Sequence, residues 1–394
     1  MSLENLVEMS HRYGGNEEFV LAGGGNTSFK ENGVLHVKGS GVQLSDILPE
    51  QFVAMDIKKL LDMVEREYPA SMSNAEREEN ALSDMMAARL PGEEEKRPSV
   101  ESILHAMFPF KYVLHVHPPL INGLTCGVGG KAACYELFGD KAVWIDLTKP
   151  GLVLAQACSK VFKAYVKDFG CYPQIVILQN HGIFVAADSV VEIDKLMAFV
   201  VDKLKSFVKD VPDFGAIPPA YGTDSLQAMS STLKAVYSSS GDGSGDGSVD
   251  GSGEGSVDGS GDGSVVAKFC ANKQVSLFVK DKEAFKPVSK PFSPDHIVNC
   301  KDEPLFIETD ADISAEFAAY TKRKGFKPKI VAVRGLGFFA LGETKKSANR
   351  AEALFLDAIK IATYAKSFGG ANPLDNEFAD FILNWEVEAY RSKA

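Results

Sequence analysis

FKAYVKDFGCYPQIVILQNHGIF, residues 162–184, reads as a helix end, a glycine turn, an apolar strand, a tight turn and a second apolar strand. Slid along the chain by 155 residues, it lies without a gap over FAAYTKRKGFKPKIVAVRGLGFF, residues 317–339, with ten of 23 positions identical. The identities include Phe162/Phe317, Tyr165/Tyr320, Gly170/Gly325, Pro173/Pro328 and Gly182/Gly337. Each copy is followed by a helical stretch, 188–208 and 343–366. Similarity of residues and of pattern together predicts an internal duplication. The copies differ at one telling position: His181 in the first is Leu336 in the second.

Working outward, the chain reads as mixed α/β. Helices are expected at 2–13, 49–66, 74–90, 100–107, 151–168, 188–209, 224–237, 343–366 and 375–391. Strands are expected at 18–22, 34–38, 111–117, 142–146, 174–179, 182–187, 275–280, 304–308, 329–334 and 337–341. Residues 241–264 are six tetrads of the form x-Asp/Glu-Gly-Ser. Such a segment buries too little apolar surface to offset its backbone entropy and reads as a linker. As a flexible coil, 238–264 would span on the order of 26–31 Å root-mean-square. Its acids recur every four residues, whereas a calcium-binding EF-hand loop needs them every two. The expected division is a module at 1–212 and a related module at 213–394 that contains the linker 238–264.

The 394 residues carry 42 basic and 53 acidic groups, a net of −11. Six of the acids lie in 238–264, so the other 367 residues carry only −5. An acidic chain argues against a nucleic-acid binder. No apolar run approaches the roughly 18–20 residues that span a bilayer. Residues 1–15 are polar and lack the apolar core of a signal peptide. The six cysteines are scattered without a C-x-x-C and read as reduced thiols. The expectation is a soluble cytoplasmic protein.

Three of the seven histidines stand out. Lys111-Tyr-Val-Leu-His-Val-His-Pro118 reads as a strand, which puts His115 and His117 on one face. His181 sits in the turn Gln179-Asn-His-Gly182. Three neutral imidazoles with open positions form the ligand set of a catalytic zinc site. The same spacing also fits core histidines with satisfied hydrogen bonds, and spacing alone leaves both readings open. Glu101, just before the His-x-His strand, suits a general base and equally a first-turn glutamate favoured by the helix dipole. His105, four residues on, reads as packing or as support for the site. The loops Gly23-Gly-Gly-Asn-Thr-Ser28 and Lys38-Gly-Ser-Gly41, with Ser99, offer backbone amides and hydroxyls of the kind that cradle a phosphate. Neither loop has Walker or Rossmann spacing.

In this order, GGGNTS (23–28), KGSG (38–41), PSVE (98–101), HVHP (115–118) and NHG (180–182) resemble the class II aldolase/adducin family. The resemblance is greatest to the aldolase part of bifunctional rhamnulose-1-phosphate aldolase/alcohol dehydrogenases. It extends into the C-terminal half at Ser293-Pro-Asp-His296 and Gly335-Leu-Gly-Phe-Phe-Ala340. It implies a class II aldolase-like α/β/α module with a central, mostly antiparallel sheet, plus a second, degenerate module. It implies that His115, His117 and His181 hold zinc or another divalent metal and that Glu101 is the acid/base. Asn26, Thr27, Ser40, Gly41 and Ser99 would surround the phosphate. The implied reaction is reversible cleavage of a ketose 1-phosphate to dihydroxyacetone phosphate and an aldehyde. Family aldolases take a proton-donor tyrosine from a neighbouring subunit of a symmetric oligomer, and Tyr135 is the candidate here. The epimerases, decarboxylases and non-catalytic adducin modules of the same scaffold remain alternatives. With Leu336 in place of the third histidine, the second copy is expected to be structural, as is His296. No nucleic-acid or membrane partner is expected.

Overall fold

The computed structural model describes residues 2–67, 69, 71–72, 74–218, 222–239 and 265–385. The tetrads at 241–264, and the expected helix beyond 385, lie outside them. Two compact units form: Met1–Pro212 with Phe292–Val298 and Lys360–Ala394, and Asp213–Pro291 with Asn299–Ile359. Chain order and compactness therefore part company after residue 291. Among the described residues no helix is long and apolar enough to cross a membrane.

The first unit is built on seven strands: β1 (Asn26–Glu31), β2 (Val34–Lys38), β3 (Phe52–Asp56), β4 (Tyr112–Val116), β5 (Val143–Ile145), β6 (Ile175–Leu178) and β7 (Gly182–Ala187). Their order is β3-β2-β1-β4-β7-β6-β5, and every pair is antiparallel except β5/β6. Central strands such as Ile175-Val-Ile-Leu178 are apolar at every position because both faces of the sheet are covered. Tyr112, Leu114, Ile175, Ile177, Ile183 and Val185 pack on one face against the helices Ser2–Gly14, Pro119–Thr125, Gly130–Phe138 and Val190–Phe207. Val113, Val176, Leu178, Phe184 and Ala186 pack on the other against Ile57–Val64, Asn74–Ala87, Ser102–Met107 and Leu152–Phe169. The result is a three-layer α/β/α arrangement around a mostly antiparallel sheet.

The second unit has β8 (Val266–Cys270), β9 (Leu305–Ile307), β10 (Ile330–Val333) and β11 (Gly337–Gly342), in the order β8-β11-β10-β9. Here too one pair, β9/β10, is parallel. The order matches β4-β7-β6-β5 of the first unit. The register matches as well. Ile175 faces Val185 and Leu178 faces Gly182, as Ile330 faces Ala340 and Val333 faces Gly337. The helices before the hairpins both end at a left-handed glycine, Gly170 (φ 70°) and Gly325 (φ 78°). The hairpin turns both hold a positive φ, at Asn180 (54°) and Gly335 (68°). The next residue closes the turn in each, His181 N–H to Leu178 O (3.3 Å) and Leu336 N–H to Val333 O (3.0 Å). The second unit therefore repeats four strands of the first and, among the described residues, has no counterpart of β1, β2 and β3.

Three expected elements are corrected. Residues 18–22 form turns, and the strand begins at Asn26 instead. The expected helix 49–66 is a short 3-10 turn (Pro49–Gln51), then β3, then the helix Ile57–Val64. Asp56 separates strand from helix by accepting the Lys59 N–H at 3.1 Å. The expected strand 275–280 is the helix Lys273–Phe278, started by Asn272, which accepts the Val275 N–H at 2.9 Å.

Candidate metal centre

Sheet register assembles the site. On β1 and β4, Asn26 lies directly opposite His115, and on β4 and β7, His115 lies opposite Phe184. The His115 ring stacks on Phe184, with centroids 4.0 Å apart and planes 15° apart. His117 follows one residue beyond the end of β4. His181 comes from the β6–β7 turn, which Gly182 brings against the neighbouring strand. A Cβ at Gly182 would stand 2.5 Å from Val116 O and 2.6 Å from His117 Cδ2. The ring centroids of the three histidines are 4.7, 5.0 and 5.0 Å apart. One ligand atom from each lies within 4.8 Å of the others.

Hydrogen bonds on the outer nitrogens orient two of these rings. His115 Nδ1 donates to Ile183 O at 3.0 Å, which leaves Nε2 without a proton. His117 Nδ1 lies 2.6 Å from Asp295 Oδ2, and its Nε2 lies 2.9 Å from His115 Nε2. With both rings carrying their proton on Nδ1, the two Nε2 lone pairs would converge where a cation can lie against them. Glu101 Oε1 stands 3.1 Å from His115 Nε2 and 3.2 Å from His181 Nε2, adding a negative group. This donor set suits a divalent cation.

Electrostatics fit the same picture. Burial raises the Glu101 carboxyl, and charge on the facing His115 and His181 rings would pull it well below the usual carboxylate range. Burial pushes His115 down to about 4, against the opposing pull of Glu101, so it is neutral at pH 7. Burial likewise holds the His105 imidazole well below its ordinary value. His105 Nδ1 meets Ser28 Oγ at 2.7 Å and its ring stands edge-on to Phe184, so it supports the floor beneath the histidines.

The remaining expected residues divide. Asn26 Nδ2 donates to Glu101 Oε2, which ties it to the cluster. Ser99 Oγ accepts the Glu101 N–H at 3.2 Å. Ser40 N–H donates to Arg97 O (2.8 Å) and Ser99 N–H to Lys38 O (3.2 Å), so the Lys38–Gly41 loop lies alongside the segment leading to Glu101. Gly41, at φ 82°, is exposed. Buried Lys38 donates to Gly23 O (3.1 Å) and Val42 O (2.7 Å), linking the two glycine-rich loops.

Thr27 is a correction at the level of its side chain. Strand alternation turns it away from Asn26, and its hydroxyl meets Ser10 Oγ at 2.7 Å under the helix Ser2–Gly14. Tyr135 is half-exposed on the helix Gly130–Phe138. It lines a cavity of about 370 Å³ with Asp140, Trp144 and Tyr165, which none of the three histidines lines. Asp295 is the site residue that sequence reasoning missed. Its only signal was its place beside His296 in Ser293-Pro-Asp-His296, 178 residues from its partner.

Residues 4–205 match the sequence profile described as the class II aldolase and adducin N-terminal domain. The chain is also similar, at 22% identity over 435 residues, to a Bacillus subtilis (strain 168) protein called uncharacterized oxidoreductase YuxG, covering 99% of this chain and 58% of the other. The chain thus spans little more than half the length of that relative. Among solved structures, it is similar to the N-terminal class II aldolase domain of a conserved protein from Thermoplasma acidophilum. That match has a TM-score of 0.44 and 25% identity, over 52% of this chain and 93% of the other. The L-fuculose-1-phosphate aldolase of Thermus thermophilus gives a TM-score of 0.34 and 14% identity, over 52% and 91%.

Proposed function

The chain belongs to the class II aldolase and adducin family, and from that premise we propose that it is a metal-dependent lyase cleaving a ketose 1-phosphate to dihydroxyacetone phosphate and an aldehyde. The observation that carries this reading is the meeting of His115, His117 and His181 with the Glu101 carboxylate, which stands 3.1 and 3.2 Å from two of the imidazoles. The histidines would hold zinc or another divalent ion. When bound, that ion would supply Lewis-acid stabilisation of the negative charge that develops on the ketose oxygens.

Glu101 is the group that moves the proton at the carbon that becomes nucleophilic. It is buried beside the imidazoles, where its carboxylate stands ready to accept a proton. Asn26 holds its other oxygen and fixes the carboxylate plane. The phosphate would lie against Asn26, Ser40, Gly41 and Ser99, with Thr27 contributing its backbone alone. Tyr135 would donate a proton to the aldehyde oxygen of a neighbouring subunit in a symmetric oligomer. The second unit would be structural.

The finer resemblance is to the aldolase part of a bifunctional rhamnulose-1-phosphate aldolase/alcohol dehydrogenase. A longer relative that carries an oxidoreductase name accords with it. All six cysteines are free thiols, which accords with a cytoplasmic setting.

The test is incubation of the metal-loaded chain with rhamnulose 1-phosphate, fuculose 1-phosphate and ribulose 5-phosphate, with assay of dihydroxyacetone phosphate. Release from a ketose 1-phosphate is expected. Interconversion of pentose phosphates without any release would instead make the protein an epimerase on the same scaffold.

A further inference from the structure

Asp295 lies outside residues 4–205, the span that matches the family, yet it packs in the same compact unit as the histidines. Its Oδ2 is 2.6 Å from His117 Nδ1, on the side of the ring away from His115. Asp295 is buried, with 8% of the residue's surface exposed. Two further features are shaped around this pair. Gly24 leaves room for it: a Cβ there would stand 2.9 Å from Asp295 Oδ2 and 3.5 Å from His117 Nδ1. The segment carrying Asp295 is also tied to the hairpin turn that carries His181. Asn180 Nδ2 donates to Phe292 O at 3.1 Å and to Asn372 O at 2.9 Å.

We infer that Asp295 is a positioning residue of the metal centre, holding His117 in the tautomer whose Nε2 lone pair faces His115 Nε2. The inference rests on the reading that the three histidines bind a divalent metal. The chemistry is general: a carboxylate that accepts the outer N–H of a ligating imidazole fixes its ring, selects its tautomer and raises its basicity. Asp295 stands on the outer nitrogen, so it acts through His117. A segment more than a hundred residues beyond the first copy thereby completes a site that this copy begins.

The test uses full-length Asp295→Ala and Asp295→Asn chains with zinc as the probe. Zinc affinity is read by competition with a chromophoric chelator. The His117 tautomer is read by ¹⁵N-histidine NMR of the metal-free chain, with the signal assigned by its loss in His117→Gln. Asp295→Ala is expected to weaken zinc binding about 10–100-fold and to move His117 toward the Nε2–H form. Asp295→Asn keeps an acceptor oxygen without the charge and is expected to fall between. Gly24→Ala, which pushes on the same pair, is expected to weaken zinc in the same direction. Zinc affinity within twofold of wild type in Asp295→Ala overturns the inference. So does a weakened affinity with the His117 tautomer unchanged, which would mark a merely structural role. A wild-type chain that takes up no zinc removes the metal reading itself, a result visible before any Asp295 variant is made.

Discussion

The hairpin β6–β7 and the hairpin β10–β11 share register, turn hydrogen bond and positive-φ turn residue, yet their surroundings are chemically opposite. Phe184 and Phe339 occupy matching places. Across from Phe184 stands His115; across from Phe339 stands Phe269. One residue past β4 is His117; one residue past β8 is Ala271. His181 in the first turn is Leu336 in the second, which lies in the apolar core of its unit. All three histidine positions have thus become apolar in the repeat, while the backbone that would present them is retained. The backbone geometry of this hairpin is therefore separable from its chemistry. The first copy also borders β1, whose Asn26 reaches Glu101, and the repeat has no such strand among the described residues.

The largest effect is expected where the copies differ most. Glu101→Gln should lower cleavage by about 10²–10⁴-fold if Glu101 moves the proton, with bound metal retained. Steady-state kinetics with metal analysis would measure both. Loss of the metal instead would recast Glu101 as a ligand. In the repeat, Leu336→Ala should cost about 2–5 kcal/mol of stability through a buried cavity and leave metal content unchanged, as chemical denaturation would show. A catalytic defect at wild-type stability would break the claim that the second copy is structural.

Acid should separate the two hairpins next. Burial lowers His115 from 6.5 to about 4, so in the metal-free chain the unfolded state binds the proton first. Its contribution is present above pH 6.5 and is lost as pH falls through about 4. The loss is on the order of 3 kcal/mol, at about 1.36 kcal/mol for each pH unit between the two values. Glu101, whose folded value is also depressed, adds a loss in the same direction at lower pH. Amide protection factors, which divide out the intrinsic slowing of exchange in acid, should therefore fall in β4 and β7 on acidification and change less in β8 and β11, where Phe269 replaces the imidazole. Equal responses would contradict this.

The smallest contrast lies in the turns. Asn180→Gly keeps the positive φ but removes the bonds to Phe292 O and Asn372 O, at a cost of about 1–3 kcal/mol. Gly335→Asn places a residue tolerant of positive φ where a new Cβ meets nothing within 4 Å, and should cost under about 1 kcal/mol. Thermal unfolding of the pair measures the difference.

Much of this contrast was legible in the sequence. A gapless match over 23 residues carries register with it, because both strands and the turn between them keep their lengths. The three histidines and Glu101 were legible because each lies in a short ordered motif. What was hidden depends on contacts between distant segments. β8 was not foreseen, because Val266-Ala-Lys-Phe-Cys270 follows the tetrads directly and offers only five residues of pattern. β3 reads as helix because Phe52-Val-Ala-Met-Asp56 runs straight into an apolar helical stretch. Thr27 groups with Asn26 by adjacency, although a strand sends neighbours to opposite faces. Asp295 had only its place in Ser293-Pro-Asp-His296 to mark it, since its partner is 178 residues away.

The most direct test of the central claim is the divalent metal content of the purified full-length chain beside that of His181→Ala, each with its folding checked. The account predicts one ion per chain in the wild type and none in the variant, since the two imidazoles on and just past β4 would lose the third ligand from the turn. A wild-type chain free of metal, or a folded His181→Ala chain that keeps a full equivalent, would contradict it.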